Sequence, residues 1–510
     1  MRVFLILFLL IPGHIFAQLI QNIEFEVVGK PTWHTLVPMG EHGTLFFIKT
    51  DQTKAKVLFF DKNLKKNWEK DIFLDVERSP TAYTFDANKA TFLFRETSGM
   101  FYQVFIFNLA DGTFKTEGFE LREYFDDQDF VIYDNKIILA GATENHAAFY
   151  IYDFKSEEGK LLKTAIEGKV KLQEIVPGPE SGGFNTLWLV KTMGYSNEKR
   201  KKGAFIKSTR LALAAFDSSA ILINQKSLEQ KAGNFPVTGQ LIFRENQIVG
   251  ISGQYQNISG DKGLFYSKFP VEKPGNDMHF YSFKELLKGQ PEFQKKDLES
   301  IIKDYGFLPH QTISSENGFS LGGVFFKIET KNVTQQINND NGFSGNNSGF
   351  GRNNTRTQSR SVFAGYHYLS GILANIDSEG NLLNQSRFDL NQINPQLKQS
   401  LSFNTKGSVA YCLKGNLSAS NLNIGTKPII YKLSDEQPNA KNRPFLPSYN
   451  EVRHWYNEYF IADGSKSRIE VLQMKPNENQ TSEKKKKKKA APTFTQIRKT
   501  IYLTKIASGQ

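Results

Sequence analysis

Short stretches of alternating apolar and polar residues recur in pairs along this chain, each pair joined by a polar turn. They read "AYTFDANKATFLFRE" (82 to 96), "FVIYDNKIILAGAT" (130 to 143), "QLIFRENQIVGISG" (240 to 253), "QTISSENGFSLGGV" (311 to 324) and "SLSFNTKGSVAYCLKG" (400 to 415). "HTLVPMGEHGTLFFIKT" (34 to 50) belongs to the same series. Each is a hairpin with Asn or an equivalent turn former at its tip. Each leads to a second hairpin whose first strand is strongly apolar: "VLFF", "VFIF", "FYIY", "LALAAF", "GLFYSKF", "ILANI" and "IIYKL" in chain order. The unit is therefore four strands.

Where no insertion intervenes, the units repeat at about 45 residues, the spacing of propeller blades. The near-continuous apolar runs "ATFLF", "KIILA" and "TLWLV" suit sheets covered on both faces by neighbours. A β-sandwich wants roughly seven strands in about 100 residues rather than a long regular meander. The expected fold is all-β: a β-propeller of four-stranded antiparallel blades. Seven complete units lie between about residues 33 and 450. The tail then adds "WYNEYFIADGSKSRIEVLQM" (455 to 474) and "KTIYLTKIA" (499 to 507), and the start adds "NIEFEVVG" (22 to 29). Together they build an eighth blade from both termini, which removes the exposed edges of an open ring. Seven blades with an irregular tail is the alternative.

"MRVFLILFLLIPGHIFAQ" places Arg2 ahead of an apolar core and small residues before Gln18, the pattern of a secretory signal cut after Ala17. The apolar core is shorter than the roughly 20 residues of a spanning helix. The expectation is a signal peptide over 1–17 and a single exported domain over 18–510, periplasmic or extracellular, with no transmembrane segment after cleavage and no partner copy. The one cysteine, Cys412, forms no internal disulfide and reads as a core residue. Stability must come from packing, for which 43 Phe supply large flat side chains.

In an up-and-down meander, the turns from strand two to three and from strand four to the next blade share one end. That end carries nearly everything extra. "MGYSNEKRKKGA" (193 to 204), the Asn/Gly-rich stretch 330–361 and the Lys-rich loop 475–493 all fall there. So does 283–307, where Pro291 to Tyr305 reads as an amphipathic helix with Leu298, Ile301, Ile302 and Tyr305 on one side. The stretch 330–361 holds too few aliphatic residues to bury a core and is expected to be disordered. Function concentrates in loops on one face of a rigid scaffold.

Formal charge is +12, or +11 without Arg2. Lys199, Arg200, Lys201, Lys202, Arg352, Arg356, Arg360, Lys484, Lys485, Lys486, Lys487, Lys488 and Lys489 make the elaborated end basic. These residues are the candidate partner-binding set, for an envelope protein or an anionic glycan or lipid surface. Export and the lack of aromatics interleaved with the basic runs argue against nucleic acid.

Motifs for chemistry are absent. The eight histidines are dispersed, and no phosphate-binding glycine loop or calcium loop occurs. No catalytic, metal or cofactor residue is assigned. The cluster Glu123, Asp126, Asp127 and Asp129 has the composition for a cation or for paired glycosidase carboxylates, and His34, His310, Arg453 and His454 sit near the starts of first strands. For these the expectation is solvent or packing.

The outer hairpins "FFDKNLKKNWEKDI" (59 to 72), "FNLADGTFKTEGFEL" (107 to 121) and "NIDSEGNLLNQSRFDL" (375 to 390) resemble the Asp, turn Gly, Trp hairpins of quinoprotein-like eight-bladed propellers. In that family repeated Trp residues dock adjacent blades; some members are quinone dehydrogenases, and others, like the outer-membrane assembly propeller, are scaffolds without a cofactor. Trp68 holds the Trp position here, while Phe119 and Arg387 stand at or near it elsewhere, so no quinone is implied. In export signal, Asn and Lys richness and basic loops the chain also resembles uncharacterised secreted propellers of Bacteroidetes. The sequence thus points to a non-catalytic exported binding or scaffold protein of the cell envelope. The alternative is a carbohydrate-active hydrolase or lyase with carboxylates at the channel mouth.

Overall fold

The computed structural model describes residues 18–507 apart from 197–202, 230–232, 270–277, 289–294, 338–355, 395–396, 398–400, 422–428, 434–447, 474–492 and several shorter breaks in connecting segments. Residues 1–17, read above as a signal peptide, lie outside the described residues. The chain is mostly β, laid out in eight antiparallel sheets that follow one another along the sequence.

Sheet 1 is His34–Pro38, Thr44–Lys49, Lys54–Phe60 and Lys66–Phe73; sheet 2 is Ala82–Phe85, Lys89–Arg95, Phe101–Asn108 and Phe114–Glu120. Sheet 3 is Asp126–Tyr133, Lys136–Thr143, His146–Asp153 and Glu158–Glu167; sheet 4 is Lys169–Pro177, Phe184–Ser196, Gly203–Phe216 and Leu222–Glu229. In sheets 5 and 6 the first strand is broken in two: Asn234–Pro236 with Gln240–Arg244, and Gly306–Pro309 with Ile313–Ser315. Sheet 5 continues with Gln247–Asn257, Lys262–Lys268 and Met278–Ser282, and sheet 6 with Gly318–Ile337, Arg356–Asp377 and Leu382–Asn394. Sheet 7 is Leu401–Phe403, Ser408–Leu413, Asn416–Asn421 and Ile429–Tyr431. Sheet 8 takes Ser448–Tyr456, Tyr459–Gln473 and Thr493–Ala507 from the end of the chain and Gln18–Val28 from its beginning. The terminal strands pair from Gln18 opposite Ala507 to Val28 opposite Arg498.

Two expectations need correcting. "IIYKL" is the fourth strand of its sheet, not the third; the third is Asn416–Asn421. Its alternation is hidden because Leu417, Ser418, Ala419 and Ser420 are all buried, and small hydroxyls fill positions where the other sheets put large apolar groups. The stretch 330–361 is also not structureless throughout. The ladder between Gly318–Ile337 and Arg356–Asp377 continues to Ile337 opposite Arg356, so backbone pairing supplies what side-chain burial does not. Residues 338–355 lie outside the described residues.

The core is divided between sheets. Among the described residues, each of eight apolar clusters draws on two sheets. Sheets 1 and 2 share Phe47, Trp68, Phe92 and Phe107, and sheets 4 and 5 share Leu187, Leu211, Leu241 and Phe265. One cluster packs Trp455, Ile461, Ile501 and Leu503 of sheet 8 against Leu36, Phe46, Ile48 and Phe60 of sheet 1. Second strands are therefore covered on both faces: every residue of Thr44–Lys49 is buried. At about 1.5–3 kcal/mol per buried large side chain, these clusters dominate cohesion.

Two helices interrupt the meander between sheets 5 and 6. Phe283–Leu286 starts at Ser282, whose side chain accepts from the Lys284 N–H, and buries Phe283 and Leu286. Lys295–Asp304 buries Ile301 and Ile302 and packs Leu298 and the following Tyr305 on the same cluster. The apolar stripe of this segment covers the cluster shared by sheets 5 and 6.

Candidate functional site

The basic residues are carried by three long hairpins, each joining the second and third strands of its sheet, in sheets 4, 6 and 8. Arg356 opens the third strand of sheet 6, and Arg360 lies exposed opposite Val333. Lys199, Arg200, Lys201, Lys202, Arg352 and Lys484 to Lys489 lie outside the described residues. The stems in sheets 4 and 6 expose large apolar side chains. Met193 is paired with Ile206, and both are exposed, as is Tyr195 two residues on; the sheet 6 stem exposes Ile328 and Phe363.

The acidic cluster separates by strand alternation. Glu123 and Asp126 are exposed, whereas Asp127 is buried and accepts from Arg95 Nη1 at 2.6 Å and from the Tyr102 hydroxyl at 2.7 Å. Burial pushes the Asp127 carboxyl and the Tyr102 phenol upward, and Arg95 opposes the shift at both. Asp127 is therefore a tie between sheets 2 and 3. Asp129 is half-buried, accepts from the Phe130 N–H at 2.8 Å, and is pushed up to about 6 by burial. The carboxylate it influences is Glu174 of sheet 4, pushed up to about 7 by burial and then by the Asp129 charge.

Glu174 belongs to a belt of hydrogen bonds between first strands. Gln128 Oε1 accepts from the Leu172 N–H at 2.6 Å, Gln173 Oε1 from the Gly239 N–H at 3.0 Å, and Glu174 Oε2 from the Leu241 N–H at 2.6 Å. Gln240 Oε1 accepts from the Thr312 N–H at 2.9 Å while its Nε2 donates to the His310 carbonyl at 2.8 Å. Gln128 and Gln173 each sit at a bulge, which leaves the residue out of its own ladder and aims it at the next sheet. These residues escaped sequence reasoning, yet a signal existed. "DQDF", "LQEI", "GQLI", "HQTI" and "YNEV" repeat Gln or Asn two residues before an apolar position in sheets 3, 4, 5, 6 and 8.

The belt continues through the dispersed basic groups. Ser402 Oγ of sheet 7 accepts from the His454 N–H at 2.6 Å and lies 3.5 Å from His310 Nε2. His310 Nδ1 is 2.8 Å from the Gln311 carbonyl, which fixes Nδ1 as the protonated nitrogen, and burial lowers this imidazole to about 4. His454 Nε2 is 3.0 Å from the Asn457 carbonyl and is likewise lowered by burial. Arg453 Nη1 donates to the Tyr83 hydroxyl of sheet 2 at 3.1 Å, reaching past sheet 1, and its guanidinium faces Glu451. His34 Nε2 is 2.8 Å from Asp463 Oδ2, which also accepts from Asn450 Nδ2 at 2.9 Å. That junction ties sheet 1 to sheet 8. The arrangement fixes sheets to one another through imidazoles, amides, carboxyl groups and one arginine.

The outer hairpins dock neighbours in one case through tryptophan. Trp68 Nε1 donates to the Leu109 carbonyl at 2.9 Å, and its ring stacks on Phe107. Gly112, at φ +71, turns directly beneath the ring; a Cβ there would lie 2.6 Å from it. Phe119 stacks instead on Tyr152 at 4.7 Å, and the side chain of Arg387 engages Asp389. Beneath sheet 6, His279 takes the place of the indole: a Cβ on Gly380 would lie 2.5 Å from its ring. Sequence reading missed His279 because no Trp marks it.

Among the described residues no group of three or more His, Cys, Asp or Glu side chains is placed to hold a metal ion, and no helix is long and apolar enough to cross a membrane. No family model matches the chain, and no curated protein matches it in sequence. Solved structures give distant likenesses. The Dos1 propeller is 9% identical over 76% of this chain and 79% of that one, at a TM-score of 0.37. A functionally unknown protein from Desulfotomaculum acetoxidans is 11% identical over 73% and 90%, at 0.35. Cobalt-substituted Synechocystis ACO is 10% identical over 50% of this chain, at 0.30, and the match spans 65% of its own length. At these identities and scores the likenesses carry no argument about activity.

Proposed function

We propose that the eight sheets are blades of a closed propeller, and that the protein is a non-catalytic, exported binding or scaffold protein of the cell envelope. It engages a protein or anionic glycan partner through the end that bears its long loops. The observation that carries this reading is the placement of its additions. The long hairpins of sheets 4, 6 and 8 all join second to third strands, and the helical insertion joins a fourth strand to a first, so all leave the same end. Their tips hold the basic runs, and their stems expose Met193, Tyr195, Ile328 and Phe363. A rigid ring with variable loops at one end is the usual division between scaffold and binding surface. The packing of sheet 8 on sheet 1 supports closure.

The test is capture from the host's own envelope extract with the chain from residue 18 as bait, followed by a graded salt wash. Support is a specific partner released at moderate salt and captured more weakly, with a shallower salt dependence, when Lys484 to Lys489 are replaced by serine. Binding that salt and this replacement leave untouched would sink the basic-face reading.

A further inference from the structure

At the end opposite the long hairpins, a groove of about 1040 Å³ runs from the first strands of sheets 5 and 6 outward to the fourth strand of sheet 6. The volume matches that of small-molecule sites, roughly 300–1,000 Å³. Its lining includes six uncharged polar residues: Ser314, Ser315, Asn317, Ser320, Asn375 and Asn384. One charge of each sign, Arg244 and Glu245, stands beside them. Phe319 and Ile376 are buried beneath, while Leu383 is exposed at the outer end, so the groove offers a ligand hydrogen-bonding groups beside apolar surface.

The polar groups are fixed in advance. Arg244 lies over the Phe319 ring at 5.3 Å and donates through Nη2 to the Ser315 carbonyl at 3.2 Å. The Ser320 hydroxyl donates to Asn375 Oδ1 at 2.6 Å, and Asn375 Nδ2 donates to Asn384 Oδ1 at 2.7 Å. This relay consumes the acceptor of Asn384 and leaves its Nδ2 donors, with Nε and Nη1 of Arg244, without a protein acceptor among the described residues. Glu245 supplies acceptors at the same groove. Oriented donors beside a carboxylate complement vicinal hydroxyls, which both donate and accept. An acidic ligand meets Glu245, and a wholly apolar one leaves the oriented amides unpaired.

We propose that this groove binds a neutral oligosaccharide. The site is separate from the basic loop end and does not rest on the reading given for it. The full chain is titrated with maltohexaose, cellohexaose and chitohexaose, with binding read by saturation-transfer NMR and calorimetry. A heparin hexasaccharide serves as the anionic control. At least one neutral hexasaccharide binds saturably, with little change between about 0.05 and 0.5 M salt. Asn384→Ala and Arg244→Lys each weaken it by about tenfold, at an unchanged thermal midpoint. Both side chains lie at the surface of the groove, and Arg244→Lys keeps the charge, so a loss of binding is separable from a loss of fold. Failure of all three neutral sugars to bind overturns the proposal, as does binding that both variants leave within about twofold. Heparin binding alone, steeply salt-dependent and indifferent to both variants, overturns the groove while supporting the basic loop end.

Discussion

Replacing Glu174 by Gln stabilises the protein at alkaline pH. Burial and the neighbouring Asp129 push this carboxyl from its ordinary 4.5 up to about 7. At about 1.36 kcal/mol per pKa unit, ionising it inside the folded chain costs on the order of 3 kcal/mol. Glu174 is half-buried, and solvent screening brings the expected effect to about 1–2 kcal/mol. The folded chain holds this proton more tightly than the unfolded one. Its contribution to stability is therefore complete below about 4.5 and is lost as pH rises through about 7. Gln keeps an amide oxygen for the Leu241 N–H, the role Gln173 already performs for Gly239. Urea unfolding of wild type and Glu174→Gln at several pH values between about 4 and 8 gives the difference directly. The variant should match wild type near the acid end and gain about 1–2 kcal/mol by pH 8. A difference that does not vary with pH, or a variant less stable than wild type at pH 8, refutes the reading of Glu174 as a buried carboxyl whose ionisation the fold opposes.

Three further outcomes follow from the geometry. Asp127→Ala leaves the Arg95 charge and the buried Tyr102 hydroxyl without their shared acceptor and should cost about 3 kcal/mol in the same unfolding assay; a loss below about 1 kcal/mol refutes the tie between sheets 2 and 3. Trp68→Ala opens a cavity between sheets 1 and 2 and should cost about 3–5 kcal/mol, and Gly112→Ala should destabilise through both its positive φ and the indole ring against it; unchanged denaturation midpoints in both variants refute docking through this hairpin. Serine at Lys484 to Lys489 should lower the salt dependence of partner capture without moving the thermal midpoint, and a salt response equal to wild type removes these lysines from the interface.

The strand series was legible because period-two alternation is a local property: a hairpin such as 82–96 carries its turn former and both apolar strands within one window. The joining of the termini in one sheet was also legible, since three tail strands and one leading strand were each incomplete alone. Local pattern failed where burial was total. Asn416–Asn421 carries one large apolar residue, with Ser418, Ala419 and Ser420 filling its other buried positions, and the assignment slid to the next apolar run, Ile429–Tyr431. It failed again at the acidic cluster, where adjacent residues have opposite fates: strand geometry sends Asp126 to solvent and Asp127 to Arg95.

The candidate site was less legible than the fold. Gln128 finds its partner Leu172 a full sheet later, Arg453 reaches Tyr83 370 residues away, and the groove at Arg244 is completed by Asn384 from another sheet. The strand unit, its repetition and the end from which the long loops leave could be read along the chain, because each depends on the spacing of side chains within a short window. Which polar groups are consumed in tying sheets together, and which remain oriented toward a groove, follows from the fold alone, because a hydrogen bond between sheets depends on packing that no single window contains.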